Sequence, residues 1–465
     1  VADVIFTTYS QMQTLGEGKA IPRRRLVLKA IAPRAMIVLD EAHNAGGQGV
    51  VDDSRASAAA AGGRAEFVRE LTSKAKGLLF MSATYAKRPN VMDLYARTDM
   101  GKAVEDIKDL PNLIQRGGVP MQQIVASMLS ESGQYMRRER SFDGIEYAVE
   151  EAKVDEDAYD KFVGSVQSIF KFDLNVAPAR DEIIEEILAE LGAGTRGNDS
   201  GIGEASARST SFSSIMHNIV TQMLLAIKAN AAADRAIEAL KAGEKPVITL
   251  ANTNESFISD FAEMDGTTIG GTLDIDFGAM LKRYLQRTLR VTYKKAGDKK
   301  PSHDQIPLER LPASIQKAYR DIEALIDAGN YAGMPVSPID WIRSRITDAG
   351  FTVREVTGRK TMLDYGAKKP KLVARPKGEV GGSGKRVTIS KFNAGTLDAV
   401  ILNQSGSTGV SMHASKTFKD QRKRRMILAQ PEANIDTHMQ MLGRVNRTGQ
   451  VILPAYSQLA AGIPA

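Results

Sequence analysis

The 465-residue chain contains no cysteine, a single tryptophan and five histidines. Without thiols there can be no disulfide and no thiolate metal site, which suits a reducing cytoplasm. Long apolar runs are missing as well: nothing approaches the ~20 consecutive residues that a membrane-spanning helix requires. No charged-then-apolar leader opens the sequence, so secretion is not expected. Strong charge imbalance is also lacking. A net charge of +7 permits a polyanionic partner and by itself demands none. The remaining composition, 43% hydrophobic and 25% charged, belongs to an ordinary folded chain, and its length calls for two domains or more.

Apolar runs set the expected organisation. Residues 4–9 (VIFTTY) read as a buried strand. A core strand needs neighbours, and the sequence stops as abruptly as it starts, so it reads as a piece of a longer polypeptide. Residues 35–39 and 77–81 are continuous apolar runs, the pattern of parallel strands buried on both faces. Residues 1–99 form a first α/β region on this reading. Helical periodicity dominates 100–243, as in Glu182, Ile183, Ile184, Ile187 and Leu188, with a Gly/Ser-rich loop at 192–214. Strand-like runs return at 246–250, 351–356, 399–402 and 426–428. They define a second α/β region over 244–465 with a helical insertion at about 255–340. The basic, Gly-rich, Pro-broken stretch 368–386 reads as a loop.

Chemistry gathers at the ends of these strands, where open α/β sheets bind ligands. Asp40-Glu41-Ala42-His43 directly follows the run 35–39. One carboxylate there can hold Mg²⁺ through water, and the next can polarise an attacking water. A helix N-cap is the competing reading. Ser82-Ala83-Thr84 closes the next run, and its hydroxyls can bond the acidic pair; alone it is equally an ordinary turn. In Gln440-Met441-Leu442-Gly443-Arg444-Val445-Asn446-Arg447, the arginines are three apart and would share a helix face. Fixed guanidinium charge of this kind stabilises phosphoryl transfer. Ser405-Gly406-Ser407-Thr408-Gly409, with Ser411, follows the run 399–402; small residues let backbone N–H groups approach an anion. Thr253 and Asn254, after 246–250, have the same character. The charge run 416–425 (KTFKDQRKRR) is either a solvated face or a phosphate-tracking strip.

In this order the segments resemble the conserved motifs of superfamily 2 helicases: DEAH, SAT, GSTGVS and QMLGRVNRTGQ. The resemblance is closest to strawberry notch-like helicases. It is carried by VIFTTYSQM (4–12), IVLDEAHNA (37–45), GQYMRRERSFDGIEYAVEE (133–151), VTGRK (356–360) and the long stretch 405–451. It implies two tandem RecA-like parallel-sheet domains, the first incomplete, with a large helical insertion, ATP and Mg²⁺ bound between the lobes, and nucleic acid crossing both. Asp40 (through water) and Glu41 would serve Mg²⁺ and the catalytic water. His43, Gly409, Gln440, Arg444 and Arg447 would serve the nucleotide, and Ser82 and Thr84 would couple the lobes. Thr7, Thr8, Tyr9, Thr253, Asn254, Arg359, Ser407 and Thr408 would face nucleic acid. Relatives of this kind in phages and plasmids lie within very large polypeptides, often beside an N6-adenine methylase domain.

Two departures stand out. The P-loop pattern G-x-x-x-x-G-K-[ST] occurs nowhere, and Gly381-Gly382-Ser383-Gly384-Lys385 has the wrong spacing. The loop is expected upstream of Val1, which would leave this piece inactive alone. Asn446 also stands where a histidine often separates the two arginines. A DNA-dependent ATPase motor is the leading expectation, with a hydrolysis-deficient binding module and an RNA helicase as its rivals.

Overall fold

The computed structural model describes residues 3–12, 22–45, 63–82, 89–106, 109–136, 141–153, 156–190, 206–209, 212–251, 253, 255–273, 275–294, 302–329, 331, 334–367, 369–403, 409–432 and 434–461. The chain divides into two compact units, Val1–Ser141 and Phe142–Ala465.

In the first unit, β1 (Met36–Asp40) pairs in parallel with β2 (Gly77–Met81), Asp40 opposite Met81. Helices α1 (Arg23–Ile31), α2 (Arg64–Lys74) and α3 (Leu110–Glu131) accompany them. Phe67, Val68 and Leu71 recur at helical spacing on α2 and bury one stripe, joined by Leu39, Leu110 and Ile114. The expected burial of both strand faces does not hold here. Ile37, Leu39 and Phe80 pack inward, whereas Met36, Val38, Leu79 and Met81 are exposed. Residues 4–9 form no strand either. Val4, Ile5 and Phe6 are exposed and the chain turns into a short 3-10 helix at Tyr9–Met12. The reason is pairing: among the described residues β1 and β2 bond only each other, so this segment has no ladder to join. Tyr9 and Met12 pack into the core instead of the apolar triplet.

The second unit is built on six parallel strands: β3 (Glu146–Glu151), β5 (Lys245–Thr249), β8 (Val353–Val356), β11 (Ala399–Leu402), β12 (Arg424–Leu428) and β13 (Ala455–Ala460). Their spatial order is β3-β13-β12-β5-β11-β8. Central strands β5, β11 and β12 are buried at every position. Successive residues supply opposite faces: Ile248, Ile401 and Ile427 one, Val247, Val400 and Met426 the other. The first face is covered by α6 (Ala229–Lys241) and α10 (Pro338–Asp348), through the alanines 229, 232, 233 and 236 against Ile339, Ile342 and Ile346. The second is covered by α11 (Gly381–Ala394) and α12 (Ile435–Leu442), through Ile389, Phe392, Met441 and Leu442. Helices thus cover both faces of a parallel sheet, an α/β architecture consistent with a RecA-like domain.

A separate core in the same unit joins α4 (Glu156–Glu190), α7 (Glu255–Met264), α8 (Phe277–Thr288) and α9 (Ala313–Asp327) through Phe162, Ile169, Phe172, Phe277, Leu281 and Ile326. An antiparallel sheet of β4 (Ser206–Ser209), β6 (Arg290–Lys294) and β7 (Ser302–Gln305) adjoins it, Val291 being part of the core. Helix α5 (Phe212–Ile227) leads into α6, and β9 (Thr361–Asp364) pairs antiparallel with β10 (Lys371–Ala374). Several stretches depart from the sequence reading: the supposed loop 192–214 contains β4 and the start of α5, and the supposed helical insertion 255–340 contains β6 and β7. The region 100–243 contains β3, an edge strand of the second unit's main sheet. The supposed loop 368–386 holds β10 and the first turn of α11. That turn needs its glycines: Gly381 has φ 73°, and a Cβ on Gly384 would meet the Glu379 backbone at 2.5 Å.

Candidate functional site

In the first unit, β1 ends in an acidic turn. Asp40 is exposed at the strand end, and Glu41 takes the left-handed conformation (φ 49°, ψ 51°). No other non-glycine residue has positive φ among the described residues. Such a residue stores strain that its surroundings must hold in place, a feature that clusters at functional sites. The Glu41 N–H donates to Asp40 Oδ1 (3.1 Å), and the Asp40 carbonyl accepts from the Tyr9 hydroxyl (2.7 Å). Glu41 Oε2 is buried with no hydrogen-bond partner and lies 3.5 Å from His43 Nδ1. His43 is itself buried and bonds Ser82 Oγ at 2.8 Å, tying the end of β1 to the end of β2. The hydroxyl expected to sense the carboxylates therefore contacts them through His43. Thr84 lies outside the described residues.

The turn also captures a residue expected on a nucleic-acid face. Tyr9 spends its hydroxyl on Asp40, and burial first, then the charges of Asp40 and Glu41, push its pKa up to about 12. Thr8 is exposed and shares a 3.0 Å bond with Ser10; Thr7 donates to Gln11 Oε1 at 3.4 Å.

In the second unit, the chain crosses from β11 over β5 to β12, so the C-terminal ends of these strands form the switch-point crevice of an open sheet. Thr253 follows β5 there. Gly409, with φ 73°, and Ser411 follow β11, whereas Asn254, Ser407 and Thr408 lie outside the described residues. Helix α12 begins with Asn434 capping the Thr437 N–H (3.1 Å) and carries Gln440. It closes at Gly443, so Arg444 and Arg447 do not share a helix face but occupy the turn beyond it. Arg447 donates from Nη1 to Ser411 Oγ (2.6 Å) and from Nε to the Gly443 carbonyl (3.1 Å). The Arg444 carbonyl accepts from Met412 N–H at 2.9 Å. The segment after β11 and the arginine turn are thus one assembly. Lys385, from the glycine-rich turn of α11, is pushed down by burial and by the charge of Arg444.

Arg359 leaves the nucleic-acid set. It is 1% exposed and its five guanidinium donors are taken up by Asp340, Glu355 and Ser337, with bonds of 2.6 to 3.4 Å. A guanidinium so enclosed has no donor left for a phosphate. The run 416–425 is neither a solvated face nor a strip. Asp420, Arg424 and Arg425 are buried; Asp420 pairs with Lys245 and Arg424, and Arg425 with Glu244 and Glu146. Lys416 and Lys419 remain exposed.

Comparison with known proteins shows what the chain is similar to. Residues 345–465 match the family described as the C-terminal domain on Strawberry notch homologue, and residues 2–162 match P-loop containing NTP hydrolase pore-1. Most of the chain is also similar to strawberry notch proteins. It is 24% identical over 535 residues to protein strawberry notch homolog 2 of Homo sapiens, covering 97% of this chain and 37% of that protein. Protein strawberry notch homolog 1 of Rattus norvegicus is 21% identical, with 97% of this chain and 40% of that protein covered. The chain thus spans well under half the length of these curated relatives. A solved structure, the C-terminal part of the Fun30 ATPase domain, overlaps at a TM-score of 0.25 and 10% identity, covering 68% of this chain and 84% of that one. That score is too low to carry an argument.

Two positions escaped the sequence reading as supports of the site. Ser411 was visible only as part of a small-residue run, and its bond to Arg447 spans 36 residues. The inward turn of Tyr9 had no sequence signal, because an aromatic in an apolar run reads as strand.

Proposed function

We propose that the strawberry notch-like chain is the motor region of an ATP-dependent translocase or helicase, with DNA the favoured track, within a longer polypeptide. The observation that carries this reading is the turn after β1, where a Glu41 oxygen without a hydrogen-bond partner lies 3.5 Å from His43, which itself bonds Ser82. The residues suit the nucleotide. An unused carboxylate oxygen is what water activation requires, and Asp40 is exposed where a hydrated cation could reach it. No group of three or more metal-ligating residues occurs among the described residues, and Mg²⁺ needs none, since it takes one or two carboxylates with water and phosphate oxygens.

When bound, ATP with Mg²⁺ supplies the reactive anhydride and draws charge from it. Asp40 would orient the hydrated cation. Glu41 would accept the proton of the attacking water, with His43 fixing its carboxylate. Arg444 and Arg447 would bring fixed positive charge to the phosphates, and the Ser411 and Gly443 contacts hold Arg447 for that task. Thr7, Thr8, Thr253 and Thr408 would meet the strand backbone, as uncharged hydroxyls do.

These 465 residues carry no P-loop lysine, so turnover is expected only in a polypeptide that also supplies one. The missing pattern is also what favours the second reading, a nucleic-acid-binding module without hydrolysis. The test is ATP turnover by the full-length polypeptide with duplex DNA, with RNA and with neither. DNA is expected to stimulate most; greater stimulation by RNA moves the track to RNA, and no turnover under any condition establishes the second reading. Arg447→Ala should lower kcat about a hundredfold while DNA affinity persists. Equal loss of both contradicts the role given to Arg447.

A further inference from the structure

We propose that Tyr9 is a positioning residue that couples nucleic-acid contact by residues 7–11 to the orientation of the Glu41 carboxylate, an inference that rests on the hydrolase reading above.

The coupling is a matter of one peptide group. The amide joining Asp40 to Glu41 is held at both ends: its carbonyl accepts from the Tyr9 hydroxyl at 2.7 Å, and its N–H donates to Asp40 Oδ1 at 3.1 Å. The orientation of that amide sets φ of Glu41, which stands at 49°. A left-handed non-glycine residue is strained, and the strain is of the same order as the net worth of one hydrogen bond. The Tyr9 bond is therefore large enough to decide between this arrangement and a relaxed turn in which Glu41 leaves the left-handed region, redirecting its Cβ and carboxylate away from His43. That gives a two-state element, which coupling between sites requires.

On the other side of Tyr9 lie the groups that a phosphate backbone would meet. Thr8, Ser10 and Gln11 are exposed, and these polar side chains bond one another, Thr8 with Ser10 and Thr7 with Gln11. Phosphate oxygens would exchange with those local bonds at little cost, since hydroxyl and amide donors suit them. Tyr9 sits in the same 3-10 turn, so re-seating Thr8 and Ser10 on a strand moves the root of its ring.

The experiment uses the full-length polypeptide. Tyr9→Phe removes one oxygen and should leave nucleic-acid affinity and the KM for ATP in place, while the ratio of nucleic-acid-stimulated to basal kcat falls up to about tenfold. A wild-type ratio in Tyr9→Phe overturns the coupling. If that variant does not fold, 3-fluorotyrosine at position 9 keeps the question open to measurement. Its fluorine resonance should shift when nucleic acid binds, and a resonance indifferent to nucleic acid overturns the proposal. Glu41→Gln separates the two levels. An undiminished rate in Glu41→Gln overturns the hydrolase reading and the coupling with it. An abolished rate there beside a wild-type ratio in Tyr9→Phe overturns the coupling alone.

Discussion

Arg359 and Glu41 show opposite uses of a charged side chain. Arg359 is enclosed with Asp340, Glu355 and Arg375, and Arg343 and Glu379 complete the group. Deleting one member leaves an uncompensated buried charge, so Arg359→Ala should destabilise the second unit by about 3–5 kcal/mol, read as a loss in thermal or denaturant unfolding. An unchanged unfolding midpoint with weakened nucleic-acid binding would restore the role that its sequence position implied. That role was misread because burial depends on partners at 340 and 375, which no local pattern announces. Glu41, by contrast, keeps an oxygen free of hydrogen bonds, beside His43, within a strained turn. Its identity was legible from position, one residue past a five-residue apolar run. Its conformation was not, because a left-handed glutamate follows from the tertiary bonds of Tyr9 and Asp40.

Elements were legible where apolar residues run without a break. The runs 399–402 and 77–81 are strands with the bounds their apolar letters give, and β5 and β12 lie within a residue or two of theirs. Local pattern failed where tertiary packing pays a local cost. Helix α11 starts on glycines that signal a loop, yet Thr388, Ile389 and Phe392 bury its other end. Strand β3 was read into a helical region. It is held as the sheet's edge by β13 and by Glu146, to which Arg425 and Lys423 donate at 3.0 and 2.9 Å. Those bonds hold the Glu146 carboxyl down to about 2. A carboxylate lowered in this way stabilises the fold above its unfolded value of about 4.3 and loses that contribution as pH falls from there toward 2. The side chain is 48% exposed, so solvent screening keeps the effect modest. Backbone amides of residues 146–151 should exchange faster as pH drops through this window, after correction for intrinsic rates, and Glu146→Gln should reproduce the effect at neutral pH. Identical protection in variant and wild type would assign the edge to backbone pairing alone.

The whole molecule comprises two units with distinct cores, each carrying part of the chemistry that the sequence order implied. The first holds carboxylates at the end of β1, and the second holds arginines in the turn after α12. No helix among the described residues is long and apolar enough to cross a membrane. The large core around α4, α8 and α9 was legible only as helical periodicity, since its partners are scattered from Phe162 to Leu372. The central claim is that Glu41 activates water in nucleotide hydrolysis. It is tested most directly by phosphate release from the full-length polypeptide, wild type against Glu41→Gln, at saturating ATP and DNA. The substitution keeps the size and removes the base, so kcat should fall about 10²–10⁴-fold with ATP and DNA still bound. A Glu41→Gln enzyme that releases phosphate at the wild-type rate would contradict it.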